Sequence, residues 1–178
     1  YDDDTVPAEY IITDAIAQAE HDQHAAATII CTNRANYTKL KDTFTGRHYQ
    51  NQIKIVYVKS VSAAVTEINN LAPEHLELIS RQADKIIPQI KNCGTIFTGP
   101  FTPVAIGDYL AGPSHVLPTG KTARFFSGLS VNDFLKRISV VSYTRPGLKQ
   151  AYQSAVIIAQ KEGLTAHADS LNLRFKKG

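Results

Sequence analysis

The chain has no methionine and no tryptophan, and only two cysteines in 178 residues. Cys31 and Cys93 stand alone, with no pairing rule to invoke, and are expected to be buried, reduced thiols of a cytoplasmic protein. Charge of one sign is also scarce: 19 Lys and Arg against 16 Asp and Glu leave a net charge of +3. The basic residues are scattered rather than striped, apart from the short Arg174–Lys177 run, so nucleic acid is not an expected partner. No apolar run approaches the length of a membrane span, and the opening Asp2-Asp3-Asp4 is unlike a signal peptide. Internal repeats and low-complexity segments are absent. With no methionine, and with Tyr1 as its first residue, the chain is expected to have its natural start elsewhere.

What is present describes an ordinary globular chain, 43% hydrophobic and 20% charged, with room for one domain and an appendage. Pro7 opens a helical pattern in which Ile12, Ile16 and Ala19 share a face. Thr28–Thr32 and Ile53–Val58 have strand character, and each is followed by a helical stretch, Ala35–Phe44 and Val61–Asn69. A further helix over Arg81–Ile90 leads to a strand at Gly94–Phe97. Strands alternating with helices predict an α/β body whose parallel-type sheet is flanked by helices, an incomplete Rossmann-like arrangement. Asn132–Arg137 is a short amphipathic segment, and Ile138–Tyr143 is rich in β-branched residues. After Pro146, Leu148, Tyr152, Ala155, Val156 and Ala159 mark one helix face, closed by Gly163 as a left-handed cap. A last helix carries Leu164, His167, Ala168 and Leu171. The expected division is a body over residues 1–120 and a linker with helical tail over 121–178, the change of regime falling between 121 and 144.

The stretch from Asn92 to Gly120 contains one formally charged side chain, Asp108, among many Gly and Pro residues. Such turns bring backbone close to something, and an isolated carboxylate there calls for a cation or hydrogen-bond donors. His115 follows Asp108 by seven residues. A turn or helix cap for Asp108 and a loop position for His115 would also fit. Gln18-Ala-Glu-His21 sets an amide oxygen and an imidazole three residues apart, a spacing that suits two ligands of one metal ion and equally suits a solvated helix face. His24, one turn on, competes with His21 and is taken as surface. In Ala72-Pro-Glu-His-Leu-Glu-Leu78, Glu74 and His75 are adjacent proton acceptors, with a helix N-terminus as the plain alternative. His115-Val-Leu-Pro-Thr-Gly-Lys-Thr122 nearly spells a phosphate-binding loop. His115 replaces the first glycine, Pro118 interrupts the turn and no strand precedes it, so that reading is rejected. Glu162 ends a helix at the unfavourable end of its dipole, and His167 sits on an apolar helix face, where a buried core histidine would serve as well.

Taken together, Gln18-Ala-Glu-His21, Ala72–Leu78 and Gly94–Val140 resemble the C-terminal part of histidinol dehydrogenases, over about Pro7 to Leu171. Members are more than twice this long, so the resemblance implies a C-terminal portion. It implies zinc held by Gln18, His21, Asp108 and His167, the last from a second copy of the chain through an exchanged tail. It implies Glu74 and His75 as catalytic residues. Substrate contacts would come from Gln18, His21, His75, Asp108, His115, Glu162 and His167. The implied activity is oxidation of L-histidinol to L-histidine with two NAD. No Gly-x-Gly-x-x-Gly follows a strand, so most of the NAD site is expected outside the chain. Lys121 departs from the family pattern, which often has an uncharged residue there. The alternative is a non-catalytic zinc-binding, dimerising fragment.

Overall fold

The structure is a computed structural model that describes residues 1–175. It forms two compact units, Tyr1–Phe134 and a second beginning at Leu135.

In the first unit, helix α1 (Ala8–Ala19) starts directly after Pro7 and buries Ile11, Ile12, Ala15 and Ala19, a stripe at helical spacing. Strand β1 (Ala27–Cys31) follows, then α2 (Arg34–Phe44), capped by Asn33, whose side-chain oxygen accepts from the Ala35 and Asn36 amides. Strand β2 (Ile53–Tyr57) pairs with β1 in parallel, Ile29 opposite Ile55. Helix α3 (Val61–Leu71) is capped by Ser60. Strand β3 (His75–Leu78) and strand β4 (Thr95–Thr98) form a second parallel pair, His75 opposite Thr95. Between them lies α4 (Ala83–Ile86), which runs into a 3-10 turn. Helix α5 (Ala105–Tyr109) follows β4.

The two sheets are joined through one residue. Asp2 forms parallel bridges to both Cys31 and Ile79, so the strand order runs β2, β1, Asp2, β3, β4. The Asp2 carboxylate is buried, accepting from Asn36 Nδ2 at 2.7 Å and from the Asp4 amide at 3.1 Å. The expected parallel α/β body is therefore observed, with its sheet pinched at the centre.

Alternation along the strands sorts the core into two sides. Ile29 and Cys31 of β1 pack with α1 and α2, while Ile30 packs with Ala64 and Ile68 of α3. On β3, Leu76 and Leu78 face the α3 and α4 side. Residues 75, 77 and 79 take the opposite face, and Ile79 accordingly joins the α1 cluster. That alternation places His75 and Glu77 on the α1 side.

One sequence expectation changes, and two readings left open are decided. Ala72–Leu78 is a turn and a strand, so the helix N-terminus considered for Glu74 and Glu77 does not form. The helix expected over Arg81–Ile90 stops at Ile86, because Pro88 lacks the amide and crowds the preceding turn. The β-branched run 138–143 forms no strand: Ile138, Val140 and Val141 are exposed and no partner strand pairs with them among the described residues.

In the second unit, α6 (Arg145–Lys161) is capped by the Thr144 hydroxyl, which accepts from the Gly147 amide. Gly163 turns the chain at φ 74°, and the Leu164 amide donates to Ala159 O at 2.8 Å. Helix α7 (Thr165–Leu173) returns against α6. Ala159 and Ala168 are buried, and the Tyr152 and Phe175 rings lie 4.4 Å apart. Among the described residues no helix is long and apolar enough to cross a membrane.

Candidate functional site

The site is built around the start of β3. Helix α3 ends with Ala72 in the left-handed region, φ 47°, a conformation that costs a non-glycine residue about 1 kcal/mol or more. This sharp exit turns the chain through Pro73 into Glu74 and His75. Gly94 then brings β4 alongside: its amide donates to Pro73 O, and the Thr95 amide donates to Glu74 O at 2.9 Å. A Cβ on Gly94 would stand 2.5 Å from Glu74 O, so only glycine allows this approach. Gly107 does the same for α5, since its Cβ would meet the Phe97 ring at 2.5 Å. The Phe97 ring in turn packs at 5.8 Å from the His75 imidazole. Two glycines thus bring Asp108, on α5, towards the His75 side of the sheet.

Helix α1 supplies the other half. Gln18 lies in its last turn, and its Oε1 is buried with no hydrogen-bond partner among the described residues. His21 falls just beyond the helix end, where its Nε2 approaches Asp108 Oδ2 at 3.9 Å. That separation exceeds hydrogen-bond reach. The imidazole is 59% exposed and the carboxylate 26% exposed, which leaves both open to a third group.

A cavity of about 570 Å³ is lined by Gln18, Glu74 and His75, and also by Asp14, His24, Glu77 and Lys121. A small cleft of about 20 Å³ brings His75, Asp108 and His115 together. His75 belongs to both. Burial holds the His75 imidazole below its ordinary value; the Asp108 and Glu74 carboxylates oppose that shift, and His21 adds to it. A neutral imidazole at physiological pH is the form that accepts a proton. Burial pushes the Cys31 and Cys93 thiols up to about 11, so both remain protonated and neither serves as a nucleophile.

Of the residues singled out from sequence, Gln18, Glu74, His75, Asp108 and His115 line these two hollows, and His21 reaches them only through its approach to Asp108; all six fall in the first unit. Glu162 and His167 belong to the second unit and are exposed, so His167 is not a core histidine. His24, taken as surface, is exposed but also lines the larger cavity. Asp14 and Glu77 were missed. Their signal was positional: Asp14 lies one helical turn before Gln18, and Glu77 shares a strand face with His75.

Among the described residues no three His, Cys, Asp or Glu side chains converge closely enough to hold a metal ion. What the body offers is an imidazole and a carboxylate, His21 and Asp108, with the amide oxygen of Gln18. An orphaned buried amide oxygen one turn before such a pair fits a metal that takes nitrogen and oxygen ligands, with a further ligand still to be supplied.

Fold and cavity define an α/β protein with imidazole and carboxyl groups gathered against a parallel sheet, the setting of small-molecule acid–base chemistry. The histidinol dehydrogenase family model matches residues 1–175, and the chain belongs to that family. It is 42% identical to a histidinol dehydrogenase of Bacillus cereus, covering 98% of this chain and 44% of the relative. With a Geobacter sulfurreducens histidinol dehydrogenase the identity is 41%, over 94% of this chain and 42% of the relative. The crystal structure of histidinol dehydrogenase from Elizabethkingia anophelis superposes with a TM-score of 0.87 at 26% identity, covering 97% of this chain and 42% of that one. The chain thus spans somewhat under half the length of these relatives.

Proposed function

We propose that the chain is the C-terminal part of a zinc-dependent histidinol dehydrogenase, which oxidises L-histidinol to L-histidine with two NAD in the cytoplasm. The observation that carries this reading is the buried, unpartnered Gln18 Oε1 one turn before His21, whose imidazole faces Asp108, in a chain of this family.

Gln18, His21 and Asp108, with His167 of the partner subunit, would hold the zinc. When bound, zinc supplies a template that orients the imidazole and amine of the substrate. His75 takes the hydroxyl proton as hydride departs, its imidazole kept neutral by burial. Glu74 accepts a proton from the water that adds to the resulting aldehyde, and His75 serves again in the second oxidation. His115 and the Glu162 of a second copy hold the substrate in place. The nicotinamide site lies mostly outside this chain.

Tail exchange between two copies is supported by the apolar run after α5. Phe125, Phe126, Val131, Phe134, Leu135, Ile138, Val140 and Tyr143 are all more than 60% exposed, more uncovered apolar surface than a lone chain normally carries.

The test is histidinol-dependent NADH production by the chain alone and by the protein extended upstream. The reading expects turnover only in the extended form; no turnover there would refute it. A second reading, a zinc-binding and dimerising fragment without redox activity, is favoured for the isolated chain by its coverage of only 42–44% of its relatives.

A further inference from the structure

Asp14 lies four residues before Gln18 on α1, and Glu77 lies two residues after His75 on the same face of β3. Their carboxyl groups come within hydrogen-bonding reach of each other, and both line the cavity shared by Gln18 and His75. Two ionised carboxylates are acceptors only, so a hydrogen bond between them requires a proton. Such a bond would join α1, which carries Gln18, to β3, which carries His75.

We infer that Asp14 and Glu77 are positioning residues, whose proton-sharing hydrogen bond holds the α1 half of the site in register with the β3 half. The inference rests on the zinc and base roles proposed above for Gln18, His21 and His75.

The surroundings favour the protonated pair. Ile11, Ala15 and Ile79 line the same cavity, and Phe97 stands beside Glu77 on β4. The charged and titratable groups facing the pair are Asp2 and the Tyr1 amino group from the N-terminal segment, Glu74 and His75 on β3, His24 after α1, and Lys121 at the cavity wall. Burial, then the Asp14 charge and hydrogen bond, push the Glu77 carboxyl up to about 8, with Asp2 adding and the Tyr1 amino group opposing. Burial raises Asp14 as well, against the Glu77 hydrogen bond. The folded chain therefore binds more protons than the unfolded chain between the ordinary Glu value, about 4.3, and about 8. Folding stability falls as pH rises through that window and levels off above it.

The experiment compares the chain with its Glu77→Gln and Glu77→Leu variants. It measures zinc affinity and thermal midpoint across pH, and the carboxylic-acid carbonyl band by infrared difference spectroscopy. The Gln amide donates to Asp14 without titrating, so Glu77→Gln should bind zinc like the wild type near neutral pH. Above about pH 8 the wild type should weaken relative to it, by up to roughly tenfold per pH unit. Glu77→Leu should bind zinc more weakly at every pH. An acid band present near neutral pH in the wild type and absent from Glu77→Gln supports the bridge. Parallel pH dependences for the wild type and Glu77→Gln, or no acid band, overturn it. If no variant binds zinc at all, the zinc reading fails. The bridge is then judged by the acid band and by whether Glu77→Gln abolishes the alkaline fall of the thermal midpoint.

Discussion

In the body, Ile12, Leu40, Ile68, Leu78 and Ile86 are fully buried between a parallel sheet and its helices. In the α6–α7 hairpin only the small side chains of Ala159 and Ala168 are buried, while Ile157, Ile158 and Leu173 are each at least 58% exposed. The body therefore has the core a self-sufficient unit needs. The tail has two helices with only half-buried side chains such as Leu148, Tyr152 and Val156 around that alanine pair, and helices of this kind draw most of their stability from packing an apolar face. The same contrast runs through the chemistry. The body gathers its imidazoles and carboxyls around two hollows, whereas Glu162 and His167 stand on exposed helix ends.

The largest expected effect separates the body's chemistry from its metal. His75→Asn in the upstream-extended protein should lower turnover by roughly 10³-fold, the middle of the range for loss of a general base, while zinc stays bound on metal analysis. Unchanged turnover would remove His75 from the mechanism. Next comes packing. Leu78→Ala should cost about 3 kcal/mol in denaturant unfolding, whereas Ile158→Ala in the tail should change unfolding of the isolated chain by less than about 0.5 kcal/mol. Similar costs for the two would break the contrast.

Gly107→Ala sharpens the body's side of it. The new methyl would press on the Phe97 ring at 2.5 Å, and overpacking of this kind costs about 1–3 kcal/mol. It should also weaken zinc binding by displacing Asp108, measurable by chelator competition. A smaller effect concerns pH. Because burial lowers the His75 value, the acid limb of the activity profile should lie below the ordinary imidazole value of about 6.5. His75 also stabilises the fold less at low pH, since the unfolded chain then binds the proton more readily. A limb at or above the ordinary value would contradict the burial argument.

Much of the body was legible because its periodicities are local. The Ile12, Ile16 and Ala19 stripe, the Ile53–Val58 run and the Gly163 cap each report on neighbours a few residues away. Strand β3 was hidden because it is four residues long and two of them, His75 and Glu77, are polar groups facing the cavity; their alternation with Leu76 and Leu78 looked like a helix start. The glycines of Gly94–Gly120 signalled close backbone approach, but not that Glu74 O and the Phe97 ring were the groups approached. The Asp14–Glu77 contact joins residues 63 positions apart, and no local pattern encodes such a meeting. The exposed 138–143 run has strand composition without a neighbour to pair with, a property that sequence composition alone does not contain.

The most direct measurement is a zinc titration of the chain and of its Gln18→Ala, His21→Ala, Asp108→Ala and His167→Ala variants, with a mixture of the His21 and His167 variants alongside. Tight binding by the wild type, loss in each single variant, and recovery of an intact site in the mixed dimer are predicted. Undiminished zinc binding by His21→Ala and Asp108→Ala would contradict a metal centre built between α1 and α5.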